Sequence, residues 1–262
     1  MAFFKTNDGV SINYEDRGGD GPVAVLLSGF SGIQAEWFYQ IEALQEKGFR
    51  VVTMDWRCHG RSQKTSKNLR IGRLATDLRQ LVLKLDLQDM TLVGHSMGGA
   101  GIFAYLSLFG EDRVKKVVVI DESPKLLNDP EWSAGLLGMD WNTFPVMVNT
   151  FIHQKLTYAP VSESLKDNLQ KEKKDYPFDF NLAVALLKNH LLEDWRENIY
   201  DLKAPMLYVA GEKSPLFKDS YYKEFEGLFK EKDQLTVMEK VGHLPHIEKP
   251  DEFNDVFLKF IM

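Results

Sequence analysis

The 262-residue chain is 44% hydrophobic and 27% charged, the balance of a soluble globular protein, which excludes a disordered or fibrous one. Its formal charge of -6, with no dense basic stripe, argues against nucleic acid as a partner. The single cysteine, Cys58, excludes an internal disulfide and any multi-cysteine metal site.

The first residues carry no basic leader followed by an apolar run, and no later apolar stretch approaches the length of a membrane span. A cytoplasmic protein without membrane association is expected. In chain order, residues 10–14 alternate as a strand, residues 23–27 form a continuous apolar run suited to a central strand, and residues 51–54 are another short β-branched segment. Between the last two, residues 35–47 carry Trp37, Phe38, Ile41 and Leu44, a helical stripe ended by Gly48. Leu74, Leu78, Leu81, Val82 and Leu85 make a second stripe before a strand at Leu92 and Val93. A helix over 97–109 and a strand over 117–120 follow.

This alternation implies a mostly parallel sheet flanked by helices, with functional loops at the carboxyl ends of the strands. It breaks after Ile120. Residues 122–200 offer no convincing strand but do offer a helical stripe at Phe180, Val184, Leu187 and Leu191, along with Trp132, Trp141 and Trp195. Their charge run at 166–175 mixes both signs and reads as a solvated face. Regular order resumes with strands over 205–211 and 235–238, a helix around 221–229 between them, and a closing helix over 250–260. The expected organisation is an α/β core of residues 1–121 and 201–262, with residues 122–200 inserted as a helical cap.

The chemistry centres on Gly94-His95-Ser96-Met97-Gly98, an apolar strand running into a serine flanked by glycines two residues away. A serine on a sharp strand-to-helix turn needs glycines there, because side chains would collide with the neighbouring strand or helix. Met97 then begins a helix whose first amides face an oxyanion forming on a substrate carbonyl. A serine hydroxyl is a poor nucleophile at neutral pH, so a general base must take its proton and a carboxylate usually orients that base.

His243, just after the last strand, is the expected base; His246, three residues on, is a weaker rival and is expected instead to line the loop. For the acid, the usual position after the strand ending at Ala210 reads Gly211-Glu212-Lys213-Ser214, with Ser214 where an aspartate commonly stands. Asp121, at the end of the preceding strand, is therefore expected, with Glu122 and Glu212 as alternatives, because a strand-end carboxylate can instead cap a helix. Ser28-Gly29-Phe30 follows the first central strand, and the Phe30 amide is expected to pair with that of Met97 as the oxyanion hole. Adjacent residues seldom point at each other, so Cys58 beside His59 reads as a small buried or loop thiol rather than a nucleophile.

With elbow, histidine loop and glycine turn in this order, the sequence resembles an α/β-hydrolase over nearly its whole length. The segment Asp55-Trp56-Arg57-Cys58-His59-Gly60-Arg61-Ser62 is similar to that superfamily's Asp-x-Arg-Gly-x-Gly-x-Ser, and Gly242-His243 is followed by Glu248-Lys249-Pro250. Ser28-Gly29 stands where a His-Gly pair is common. Ser214, together with Asp121 to Pro124, resembles the small esterases whose acid has moved to the preceding strand end in an Asp-x-x-Pro segment. The general look is of the non-haem chloroperoxidase and carboxylesterase branch, which implies no metal or organic cofactor. Dehalogenases and epoxide hydrolases of this fold use an aspartate nucleophile, so Ser96 argues against both.

The resulting expectation is a serine hydrolase that cleaves a small hydrophobic carboxylic ester through an acyl-enzyme. A perhydrolase or cofactor-free oxygenase on the same scaffold, and a ligand receptor of slow turnover, are the alternatives. Phe30 and Trp37 from the core, and Trp132, Trp141, Phe144 and Met147 from the cap, are the expected lining of the substrate pocket.

Overall fold

The computed structural model describes residues 2–150 and 154–262. Among them, eight strands form one sheet: β1 (Ala2–Lys5), β2 (Ser11–Asp16), β3 (Val23–Leu27), β4 (Arg50–Met54), β5 (Met90–His95), β6 (Val114–Ile120), β7 (Met206–Gly211) and β8 (Gln234–Met238). The spatial order is β1-β2-β4-β3-β5-β6-β7-β8, with β1 and β2 antiparallel at one edge and every pairing from β4 to β8 parallel.

The apolar run of β3 belongs to a strand covered on both sides, and period-two alternation divides it between two cores. Val25 and Leu27 face one layer, with α2 (Ile71–Lys84) and α3 (Met97–Phe109). Ala24 and Leu26 face the other, with α1 (Phe38–Glu46) and the carboxyl-terminal helix at Pro250–Ile261. The stripe Leu74, Leu78, Leu81 and Val82 is fully buried, as its 3.6-residue spacing predicts.

Between β6 and β7 lie α4 (Phe144–Met147), α5 (Glu163–Asp175), α6 (Phe180–Leu191) and α7 (Arg196–Asp201), with isolated bridges but no strand among the described residues. The mixed charge run sits on α5, which is largely exposed. Glu172 from it reaches Arg61 at 2.7 Å and so ties the segment to the loop after β4. After β8 come α8 (Pro245–Glu248) and α9 (Pro250–Ile261).

Several elements differ from the sequence reading. β1 is additional, and the next strand begins at Ser11 because Val10 closes the hairpin through hydrogen bonds with Thr6. The helix expected from residue 35 starts as a 3-10 turn over Gln34–Trp37, where the Gln34 amide is diverted to Asp55 Oδ1 at 2.9 Å. The helix expected around 221–229 is instead two 3-10 turns, Tyr221–Glu224 and Glu226–Leu228, broken at Phe225, whose φ is -123°. That break lets Tyr221 and Phe225 both pack against Tyr208 on β7. No helix among the described residues is long and apolar enough to cross a membrane.

Candidate active site

β5 ends at His95 and α3 begins at Met97, which leaves Ser96 to make the turn between them. It does so with φ 51° and ψ -127°, a conformation that costs a non-glycine residue of order 1–3 kcal/mol and persists where the surroundings enforce it. The enforcement is visible in the packing. A Cβ on Gly94 would lie 2.5 Å from the Gly98 carbonyl carbon, and one on Gly98 would lie 2.2 Å from the Leu27 carbonyl oxygen. Only glycine permits α3 to start this close to β3.

Backbone and side-chain hydrogen bonds hold three loops together at this point. Ser96 N donates to Ile120 O at 2.9 Å, Asp121 N donates to Val209 O at 2.8 Å, and His95 Nε2 donates to the His243 carbonyl at 2.8 Å. The residues that flank the turn thereby hold both the exit of β6 and the loop after β8.

Asp121, at the exit of β6, is fully buried. Its Oδ2 accepts from His243 Nδ1 at 2.7 Å and from Ser214 Oγ at 2.5 Å. Its Oδ1 accepts from Gly211 N at 2.8 Å and from Tyr221 Oη at 2.9 Å. Donation from Nδ1 leaves His243 Nε2 as the basic nitrogen, which is the tautomer a general base requires. Burial lowers the His243 pKa from its ordinary value, with the Asp121 hydrogen bond opposing the shift.

Ser214 thus finds a use at the position where an aspartate is commonly found: its hydroxyl binds the carboxylate on the neighbouring strand. Glu212 is half-exposed and turned away, accepting from Lys240 N at 2.9 Å and pairing with Lys213 at 3.2 Å. Glu122 is buried and its carboxyl faces the Ser96 side chain. His190, on α6, approaches Glu122 as well, with Nε2 3.6 Å from Oε1.

The turn after β3 lies against the elbow, since a Cβ on Gly29 would come 3.0 Å from Ser96 Cβ. Two indoles brace it at Ser28: Trp37 Nε1 donates to Oγ at 3.1 Å and Trp56 Nε1 donates to the carbonyl at 2.8 Å. The Phe30 ring packs edge-on against Phe178 and Phe180, with centroids 5.2 Å and 6.3 Å away. Met97 is the first residue of α3, and its amide belongs to the first turn, where no intrahelical acceptor exists.

The expected pocket residues are scattered. Trp37 is fully buried beneath the turn, where it stacks on His246 at 4.6 Å and packs in the α1/α9 core. Trp132 and Trp141 line a separate cavity of about 580 Å³ formed by residues between Asn128 and Asn142, and Trp141 is 66% exposed. Phe144 and Met147 are partly buried on α4 against the main core. Sequence reasoning gave His190, Ser214 and Tyr221 no role. For Ser214 the signal was its position in the chain, whereas nothing in the sequence links His190 or Tyr221 to residues 121 and 122.

His246 does not reach the Asp121 pair. Its Nε2 lies 3.9 Å from Glu36 Oε1, which lies 3.7 Å from His95 Nδ1, all three residues buried. Among the described residues, this is the group that could hold a cation. The separations exceed the roughly 3.4 Å expected between two donors about 2.1 Å from one tetrahedral ion, so the set is too open for that ion without contraction.

A family model described as alpha/beta hydrolase fold matches residues 22–250. A Synechocystis protein, named provisionally as a non-heme chloroperoxidase, is 34% identical over 272 residues, covering 96% of this chain and 95% of its own. The crystal structure of a bromoperoxidase from Bacillus anthracis superposes with a TM-score of 0.84 at 27% identity, covering 99% of both chains. An esterase from Exiguobacterium antarcticum has the same fold, with a TM-score of 0.86 at 21% identity over 99% of this chain and 98% of that one.

Proposed function

Because the chain belongs to the α/β-hydrolase family, we propose that it is a serine esterase in which Ser96 is the nucleophile, His243 the general base and Asp121 the residue that orients it. The observation that carries this reading is the buried Asp121–His243 pair, 2.7 Å apart, held beside a strained serine turn. Rotation of the Ser96 side chain from Glu122 toward His243 would pass the hydroxyl proton to Nε2 as Oγ bonds to the ester carbon. The amides of Phe30 and Met97 would bind the resulting oxyanion, where one donor is worth about 3 kcal/mol. Collapse breaks the C–O bond, and the alcohol leaves with the proton from Nε2. Water, deprotonated by His243, then releases the acid and restores Ser96.

Residues 122–200 act in this reading as the cap that sets the acyl pocket, through Phe178 and Phe180 against Phe30. Small-molecule esters are the substrates. Hydrolysis of p-nitrophenyl esters from acetate to palmitate tests the proposal: activity peaking at one chain length supports it, and no turnover of any ester sinks it. Relatives named as peroxidases favour one second reading, attack of hydrogen peroxide in place of water on the acyl-enzyme to release a peracid. Peracid formed from ester plus peroxide in the same assay distinguishes it.

The base must be neutral to act, and burial lowers its pKa. A lowered pKa extends the neutral form to more acid solution, so the acid limb of kcat/KM should have its midpoint below the usual histidine value of about 6.5. A limb centred above it, in a protein still folded by circular dichroism, would remove burial as the dominant influence on His243.

A further inference from the structure

Glu122 and His190 are buried polar groups that the reaction above leaves unused. Glu122 directly follows Asp121 at the exit of β6, and burial, reinforced by the Asp121 charge, raises its pKa well above the ordinary carboxyl value. Both influences favour the protonated carboxyl, the form able to donate as well as accept. His190 enters from α6, where burial lowers its pKa to about 3 and keeps it neutral.

The two do not satisfy each other. Glu122 Oε1 and His190 Nε2 are 3.6 Å apart, beyond a hydrogen bond, and Glu122 Oε1 and His190 Nδ1 have no hydrogen-bond partner among the described residues. A buried polar atom left unpaired is costly, and one beside a nucleophile calls for a ligand group that completes it. With Oε1 and Nε2 3.6 Å apart, one oxygen could stand at ordinary hydrogen-bond distance from both. Surroundings that disfavour charge on both groups suit a neutral hydroxyl better than an ammonium or carboxylate.

We propose that Glu122 and His190 form a hydroxyl-recognition pair beside Ser96, so that the preferred substrate is a hydroxy ester with its hydroxyl within two carbons of the scissile carbonyl. The short reach follows from the placement: attack puts the carbonyl carbon on Ser96 Oγ, and the Glu122 carboxyl faces that same side chain. The inference rests on the serine-esterase reading. Sites that hydrogen-bond a substrate hydroxyl discriminate strongly against analogues lacking it, because the site's own groups are then left unpaired.

The test compares methyl 2-hydroxybutyrate and methyl 3-hydroxybutyrate with methyl butyrate by titrating released acid. The wild type should favour one hydroxy ester by about tenfold or more in kcat/KM. Glu122→Leu should bring that ratio close to one whatever its absolute rates, and Glu122→Gln, which keeps a donor and an acceptor, should retain most of it. A wild-type ratio near one, or a ratio unchanged in Glu122→Leu, overturns the inference while leaving the esterase reading intact. No hydrolysis of methyl or p-nitrophenyl esters overturns the esterase reading instead. A measurement free of variants guards against misfolding: 2- or 3-hydroxybutyrate should inhibit p-nitrophenyl ester hydrolysis at several-fold lower concentration than butyrate, and equal inhibition by all three overturns the pair's role.

Discussion

Ser96→Ala is expected to lower kcat for p-nitrophenyl ester hydrolysis by about 10⁴-fold or more, with folding stability changed by less than about 1 kcal/mol. The large loss follows because no other nucleophile is placed at the elbow. Cys58 is buried, and its thiol donates to Thr65 O at 2.8 Å rather than toward Ser96. Burial raises its pKa further from the thiolate form. The small stability change follows because alanine keeps the Cβ that already tolerates φ 51° at this position, and the deleted hydroxyl serves no cap of α3. Activity assays and a urea unfolding curve on the same preparation check both halves. More than a tenth of wild-type activity in a folded variant would remove Ser96 as the nucleophile, whereas loss of both activity and structure would show that the hydroxyl supports the turn.

What the sequence disclosed, and what it withheld, divides by physical range. Val23–Leu27 and Met97–Phe109 were readable to the residue because a continuous apolar run and a serine flanked by glycines are local signals. The turn at Ser96 was legible for the same reason: Gly94 and Gly98 exclude side chains at contacts set within five residues and by the adjacent strand. Tyr221–Leu228 misled because its apolar spacing fits a helix, while the pull of Tyr208 and Asp121, more than ten residues away in the chain, breaks it into two 3-10 turns. Trp37 misled in the opposite sense. An aromatic near the serine turn looks like pocket lining, but its indole nitrogen is consumed by Ser28 and its ring by His246. Glu122 could be named as a carboxylate near the site. Its raised pKa depends on burial and on the Asp121 charge beside it, and its approach to His190 joins residues that no sequence period connects.

Asp121→Asn is expected to cost about 10⁴-fold in kcat, and Glu212→Gln less than about twofold, because only the first alters the imidazole tautomer. Among the described residues, four donors surround the Asp121 carboxylate. Gly211 N is a backbone donor that cannot turn, and it points at Oδ1. An asparagine placed here must give its carbonyl oxygen to that amide, which leaves its NH₂ facing His243 Nδ1 and Ser214 Oγ, the partners of Oδ2. Tyr221 goes on donating to the carbonyl oxygen and the Ser214 hydroxyl can rotate to accept, but the imidazole can accept only by moving its own proton to Nε2. The nitrogen that should take the serine proton is then already occupied, although every atom remains within a few tenths of an ångström of its place. The variant should therefore fold, bind short-chain acids as the wild type does, and regain rate as pH rises and hydroxide takes over the base's part. Glu212 has no such leverage, since its carboxylate binds Lys240 N and Lys213 on the half-exposed side of the loop. Equal and small losses in the two variants would mean that the Asp121–His243 contact is structural, and the orienting acid would have to be sought at Glu122, the remaining buried carboxylate beside Ser96.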